Sequence, residues 1–345
     1  TDQQLNDMDS SSLRSLAKEL RVFSELNGNE EFAKYDDVSI SDEAWRNSVR
    51  APPTTTTHVN LCLVKPATKG TGLCYALSVV ANGPRPEWVG VPTDFVSHAW
   101  RYKFVDLVVA LRSEADERDR ARARRGLAPI ADVRFYWNDI FVENQNATDD
   151  KPEGYFFTAF RDAVESIGRT ILILLPLRAA IPLSRAWCVW EIFCSIAGAN
   201  VELEIALPPS ERSELERMLR EEFDEVVRIL MDVRVENSEA FEESDKREIH
   251  RIVREQCEGG FEGVNGVICE GLRRWLSRTA LEMVSGVVEG EEVEEELLLM
   301  NQVGMMLQEQ GRLGEAEVVY RRALEGRERV LGADHPSTLA SVNNL

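Results

Sequence analysis

Between residues 94 and 207 the chain alternates short apolar runs with amphipathic stretches, and this alternation constrains the fold more than any other feature. Asp94–Ser97 reads as a strand and leads to a helix from about Tyr102 to Arg125, apolar at Phe104, Val105, Val108 and Leu111. Asp132–Trp137 reads as a second strand, followed by a long polar loop and a helix at Tyr155–Ser166. Thr170–Leu175 is a third, β-branched and ended by Pro176, with a compact helix from near Arg185. Val201–Leu207 is a fourth, and a helix over Ser210–Leu230 follows it. Val233 and Val235 read as a weak last strand, and helices over Ser244–Glu255 and Val264–Glu282 close the unit. Strand-then-helix repeated at this spacing predicts an α/β fold: a flavodoxin-like parallel sheet with helices on both faces, because right-handed crossovers require it.

The flanks are different in kind. Ser10–Leu26 carries one helical pattern, and a polar stretch ending in PPTTTT has linker composition, so residues 1–57 read as a helix and linker. In residues 58–92, Val59–Val64 and Leu73–Val80 read as two short strands. The GTG at Gly70–Gly72 between them lacks the rest of a phosphate-binding pattern and reads as a plain turn. The sheet unit spans 93–285. From 286 a Gly- and Glu-rich junction leads into purely helical sequence that repeats itself with an offset of 42 residues: Leu297 and Asn301 recur as Leu339 and Asn343. Gly311, Ala316, Tyr320 and Ala323 are small and aromatic residues placed for two helices to cross closely. About one and a third repeats are present where about three bury a core, which predicts further repeats beyond residue 345.

Charge and cysteine usage narrow the function. With 40 basic and 60 acidic residues the formal net charge is −20, which argues against a nucleic-acid partner. The charged run over Arg112–Arg125 mixes signs and reads as a solvated helix face. Six cysteines without CxxC spacing and four histidines form no metal constellation, and they read as reduced thiols. No signal peptide and no membrane span is visible, so the expected location is cytoplasmic.

Open α/β sheets bind ligands outside the carboxyl ends of their strands. Three segments are expected to meet there: Ser97, His98, Ala99, Trp100 and Arg101; Trp137, Asn138 and Asp139; and Ser184, Trp187 and Glu191. Here FVSHAWRYKFVDLVVAL resembles the opening motif of TIR (Toll/interleukin receptor) domains, and GYFFTAFRDAVESIGRTILILL resembles their second helix and third strand. SRAWCVWEI is similar to their S-x-W-C-x-x-E-L signature, with one extra residue between Ser184 and Trp187. The chain departs from the family at Pro176 and Leu177, after the third strand, and at Tyr102, where an acidic residue is common. The segment GRLGEAEVVYRRALEGRERVLGADHPSTLASVNNL resembles the kinesin-light-chain type of tetratricopeptide repeat.

These resemblances imply an intracellular signalling protein. In enzymatic TIR domains the signature glutamate, here Glu191, cleaves NAD at the nicotinamide–ribose bond, with NAD as substrate and no cofactor or metal. Ser97, His98 and Arg101 would line the pocket, with Trp137 as a stacking candidate and Ser184 and Trp187 beside it. The loop containing Phe141 and Asn144 and running up to Gly154 corresponds to the family's self-association loop, so TIR–TIR contacts are implied, and the repeats would bind protein partners. The alternative is a non-catalytic scaffold, in which Glu191 caps or pairs with Arg185 or Arg101. An open crevice holding Glu191, Ser97 and His98 would favour the enzyme; burial of Glu191 or an arginine partner would favour the scaffold.

Overall fold

The computed structural model describes residues 55–82, 88–124, 126–127, 134–147, 151–152, 154–287 and 293–344, together with the backbone but not the side chains of Cys62 and Asn82. The helix expected over Ser10–Leu26 and most of the linker lie outside the described residues.

The described chain opens with α1 (Thr56–Val59), a π-helical turn over Asn60–Val64 and α2 (Lys65–Thr68), followed by α3 (Tyr75–Asn82). These replace the two strands expected over 59–64 and 73–80. A short apolar run does not reveal its own period, and here Val59 and Val64, five residues apart, are both buried on the inner face. A π turn, with its i→i+5 bond, puts that spacing on one side. Gly70 and Gly72, at φ 75° and 71°, make the expected turn.

The sheet region follows in the predicted order except for a short helix, α5, in the stretch expected as loop: β1 (Asp94–Ser97), α4 (Phe104–Arg124), β2 (Tyr136–Trp137), α5 (Asp139–Val142), α6 (Tyr155–Ile167), β3 (Arg169–Ile173), α7 (Ala186–Ala197) and β4 (Glu202–Ala206). Two 3₁₀ turns, Leu177–Ala179 and Ile181–Ser184, precede α7. The four strands pair in the order β2-β1-β3-β4, all parallel, so the winding reverses between β1 and β3. Every residue of β1 and β3 is buried, as strands covered on both faces must be.

Alternate side chains serve two cores. Phe95, Leu172, Leu174 and Ile205 join α6 and α7 on one face. Val96, Ile171, Ile173 and Ala206 join α4 on the other, through Leu107 and Ala110. The face of α4 therefore differs from the expected one, since Val108 is exposed and Leu107, Val109 and Ala110 are buried.

Beyond β4 come α8 (Pro209–Glu221), α9 (Phe223–Met231), α10 (Glu243–Gln256) and α11 (Gly260–Ser285). The helix expected over Ser210–Leu230 is two helices, broken at Glu222, whose φ −136° and ψ 40° are not helical. The weak strand expected at Val233 and Val235 is a 3₁₀ turn over Val235–Asn237. The Val235 backbone is already engaged: its N–H donates to Asn265 Oδ1 at 2.9 Å, and its carbonyl accepts from Ser238 Oγ and lies 3.1 Å from His250 Nε2. No ladder group is left over at that residue.

The final part is α12 (Glu294–Glu309), α13 (Leu313–Leu331) and α14 (Pro336–Val342). Ala316, Tyr320 and Ala323 are buried as expected. The crossing is tight because a Cβ on Gly304 would stand 2.4 Å from the Tyr320 ring. Asn344 Nδ2 donates to Asn301 Oδ1 at 3.0 Å, joining α14 to α12. The hydrophobic core runs without interruption from Phe95 through α11 into Leu297, Met300 and Ala323. Gln310 adds polar bonds to Ser277 and Arg273.

Candidate functional site at the carboxyl edge of the sheet

The sheet's winding reverses between β1 and β3, and the side chains gathered at their carboxyl ends come from β1, α5 and α7. Ser97 is the last residue of β1, and its Oγ donates to Glu191 Oε2 at 2.6 Å. Both residues are buried, with Glu191 only 7% exposed. This contact joins positions 94 residues apart in the chain. It brings together two of the residues the sequence singled out.

The edge is closed: Ser97, His98 and Glu191 are all buried. Burial pushes the Glu191 carboxyl well above its ordinary 4.5; the Ser97 bond pulls against this, and the nearby Asp139 carboxylate adds to it. No arginine reaches Glu191 among the described residues, so neither Arg185 nor Arg101 is its partner. His98 follows Ser97 into the interior, where burial lowers its pKa from 6.5 to about 4, and its Nε2 has no partner. Cys188, one turn before Glu191 on α7, lies with Sγ 3.4 Å from the His98 carbonyl, and burial raises its thiol pKa well above 9.0. Cys74, Cys188, Cys194, Cys257 and Cys269 are all free thiols.

Asp139 is the residue to which sequence reasoning gave no role. It starts α5 directly after β2, with Oδ1 accepting from the Ile140 N–H and Oδ2 from the Trp100 indole, both at 2.8 Å. Desolvation raises its pKa from 3.8 to about 6. Its position after a strand end, within an Asn-Asp pair, was the available signal; Asn138 caps α5 through its side-chain oxygen.

The other expected site residues stand elsewhere. Arg101 is exposed. Trp137 stacks on Phe95 with ring centroids 4.6 Å apart and meets Phe160 edge-on, so its ring belongs to the core. Ser184 is exposed, with its hydroxyl donated to the Ile181 carbonyl. Trp187 packs on Phe156, Phe157 and Phe160 and donates Nε1 to Asp245 at 2.9 Å, facing α6 and α10.

In the expected self-association loop, Phe141 is inside α5 and meets Tyr75 and Phe104. Asn144 Oδ1 accepts from the Asn146 N–H in a local turn. Gly154, at φ 78°, starts α6; residues 148–150 and 153 lie outside the described residues. Two adjoining cavities of about 480 Å³ each sit between α6, α7 and α10, sharing Gly154, Phe157, Glu248 and Arg251. Neither is lined by Glu191, Ser97 or His98.

Tyr102 binds the backbone of Leu175, the residue before Pro176. The Tyr102 hydroxyl donates to the Leu175 carbonyl at 2.6 Å and accepts from the Leu175 N–H at 2.9 Å. Tyr102 therefore buttresses the cis Leu175–Pro176 peptide that ends the third strand region.

Among the described residues no cluster of side chains could hold a metal ion, and no helix is long and apolar enough to cross a membrane. Residues 297–337 match the tetratricopeptide-repeat family, which covers α12, α13 and the start of α14. A repeat of this kind supports protein–protein interaction or assembly. No curated protein and no solved structure matches the chain.

Proposed function

We propose that this chain is an intracellular, TIR-like signalling protein whose sheet domain cleaves NAD at the nicotinamide–ribose bond through Glu191, while the tetratricopeptide segment recruits the protein partner that brings copies together. One contact supports the reading above others: Ser97 at the end of β1 holds the Glu191 carboxyl at 2.6 Å, beside the winding reversal where α/β sheets bind ligands. In the reaction the C–N glycosidic bond breaks, nicotinamide leaves with the bonding pair, and water adds to the ribosyl carbon and releases a proton to solvent. An ionised Glu191 stabilises the positive charge that develops on the ribose, and Ser97 fixes the carboxylate's position. A protonated Glu191 does neither. The closed edge is therefore a resting state, and turnover requires the carboxyl to be solvated again.

The test is nicotinamide release from NAD by the purified chain, free in solution and clustered through an added dimerising tag. Release is expected on clustering, with Glu191→Ala lowering it about 10²–10³-fold, the usual loss when one charge-stabilising group is removed. Silence from the clustered wild type would end the reading.

A non-catalytic scaffold is the second reading, and the closure of Glu191 favours it. On this reading the TIR-like domain associates with its own kind and the repeats capture peptide. Glu191→Gln would then leave self-association by sedimentation unchanged, whereas Lys151→Glu in the loop before α6 would weaken it.

A further inference from the structure

Residues 55–82 stand outside the strand–helix alternation, yet three sets of contacts bind them across the carboxyl edge. Thr55 bridges Lys103, the Thr56 N–H donates to the Tyr102 carbonyl at 3.0 Å, and the Thr57 N–H donates to the Trp100 carbonyl at 2.9 Å. The segment thus runs along the chain as it leaves β1. An apolar seam of Val59, Val64 and Ile140 comes next, flanked by Trp100, Phe104 and Phe141. A polar seam completes the contact: Asn60 Nδ2 donates to Gln145 Oε1 at 2.9 Å, and Asn146 Nδ2 donates to the Lys65 carbonyl and to Thr68 Oγ1 at 3.0 and 2.9 Å.

Nearly all the sheet-side partners come from two stretches, 98–104 and 139–146. Those stretches also reach the Glu191 site: Asp139 lies near its carboxyl, and the His98 carbonyl contacts Cys188 one turn before it on α7. Trp100 links the two layers, since its carbonyl accepts from Thr57 while its indole holds Asp139. The contact is also imperfect for a permanent core. Thr56 Oγ1 and Asn60 Oδ1 are buried in it without partners, which weakens the closed state. Leu61, Leu77 and Val80 stay exposed on the segment's outer side.

The geometry points to an autoinhibitory cap: α1, α2 and α3 hold the 98–104 and 139–146 stretches shut over Glu191, and release of this segment opens the edge to solvent. Only the enzymatic consequence rests on the NAD reading; the closure itself does not.

Cys188 reports the opening directly, being buried one turn from Glu191 and against the His98 carbonyl. Maleimide labelling of the full chain, mapped by mass spectrometry, is compared for wild type and Val64→Asp, with Cys194, buried on the same helix, as control. Cys188 labelling is expected to rise about tenfold, the effect of weakening closure by ~1.4 kcal/mol, with Cys194 unchanged. If Val64→Asp exposes both thiols alike, the chain has unfolded. The deciding variant is then Asn60→Ala with Asn146→Ala, which removes the polar seam and spares the apolar one; the same selective rise is expected. An unchanged Cys188 rate in that folded double variant overturns the cap. Nicotinamide release from the same variants, clustered through the dimerising tag, separates the two proposals: Cys188 opened without release removes the NAD reading and leaves the cap standing, and both rising together supports both.

Discussion

The two ends of the central strand β1 solve one problem in opposite ways. At its start Asp94, fully buried, is paired with Arg169, whose guanidinium also donates to Glu114 at 2.6 Å. Arg134 reaches Glu114 at 3.2 Å, and Arg118 stands 3.6 Å from Asp94. At its end Ser97 meets Glu191 with no cation in reach. At the first end arginines stand against the buried carboxyls; at the second, burial raises the Glu191 pKa and no arginine among the described residues stands beside it. Compensation of that kind marks a structural anchor, whereas an uncompensated carboxyl at a strand end is where chemistry or switching is expected. The comparison also corrects the reading of Arg112–Arg125 as a solvated face, since Glu114 and Arg118 turn inward to this network.

The largest effect should come from Arg169→Met. It leaves Asp94 and Glu114 buried without their shared cation, and breaking such a pair removes about 3–5 kcal/mol of stability, read from urea unfolding at neutral pH. A loss no larger than that of a surface arginine would break the contrast.

At the other end Glu191→Gln should stabilise, and increasingly so as pH rises. The folded carboxyl is raised above 4.5, so its favourable contribution is full below that value and is lost as pH rises toward the raised one. Wild type should therefore fall relative to the variant by about 1.4 kcal/mol for each pH unit above 4.5. Parallel stability curves would show that Glu191 is ionised and paired.

His98 gives the opposite sign in its own window. Its folded pKa is lowered to about 4, so its contribution is present above 6.5 and lost as pH falls through about 4. The difference between wild type and His98→Gln should shrink on acidification across that range, with a similar slope of about 1.4 kcal/mol per unit. The smallest effect is Ser97→Ala, about 1 kcal/mol for one lost hydrogen bond, with the Glu191 pKa moving further up.

Much of the architecture was legible before any coordinates. β1 stands on the predicted residues, and α6, α7, α10 and α11 stand close to theirs, because alternation, glycine and proline boundaries are local signals. The repeat at 297–337 was legible because Leu297 and Asn301 recur 42 residues later as Leu339 and Asn343, with Gly311, Ala316, Tyr320 and Ala323 between them. The Ser97–Glu191 pair was partly legible, since parallel winding brings the ends of β1 and the helix after β3 to one edge. Arg101, Ser184 and Trp187 show the limit. Each is near that edge in the chain, but a side chain's direction depends on what packs beside it, and Trp187 turned toward Asp245 and the phenylalanines of α6.

Short-range patterning by itself determined the order of the four paired strands between residues 94 and 206, their parallel sheet and the helical repeat, because propensity and hydrophobic period act over a few residues. Only the tertiary structure decided the state of Glu191. Its burial, its raised pKa and the Asp139 carboxylate beside it depend on β1, α5 and α7 meeting at one edge, and residues 55–82 lie beside that edge as helices. Nothing in the apolar run at 59–64 foretold that, because a run so short takes its conformation from the surface it covers.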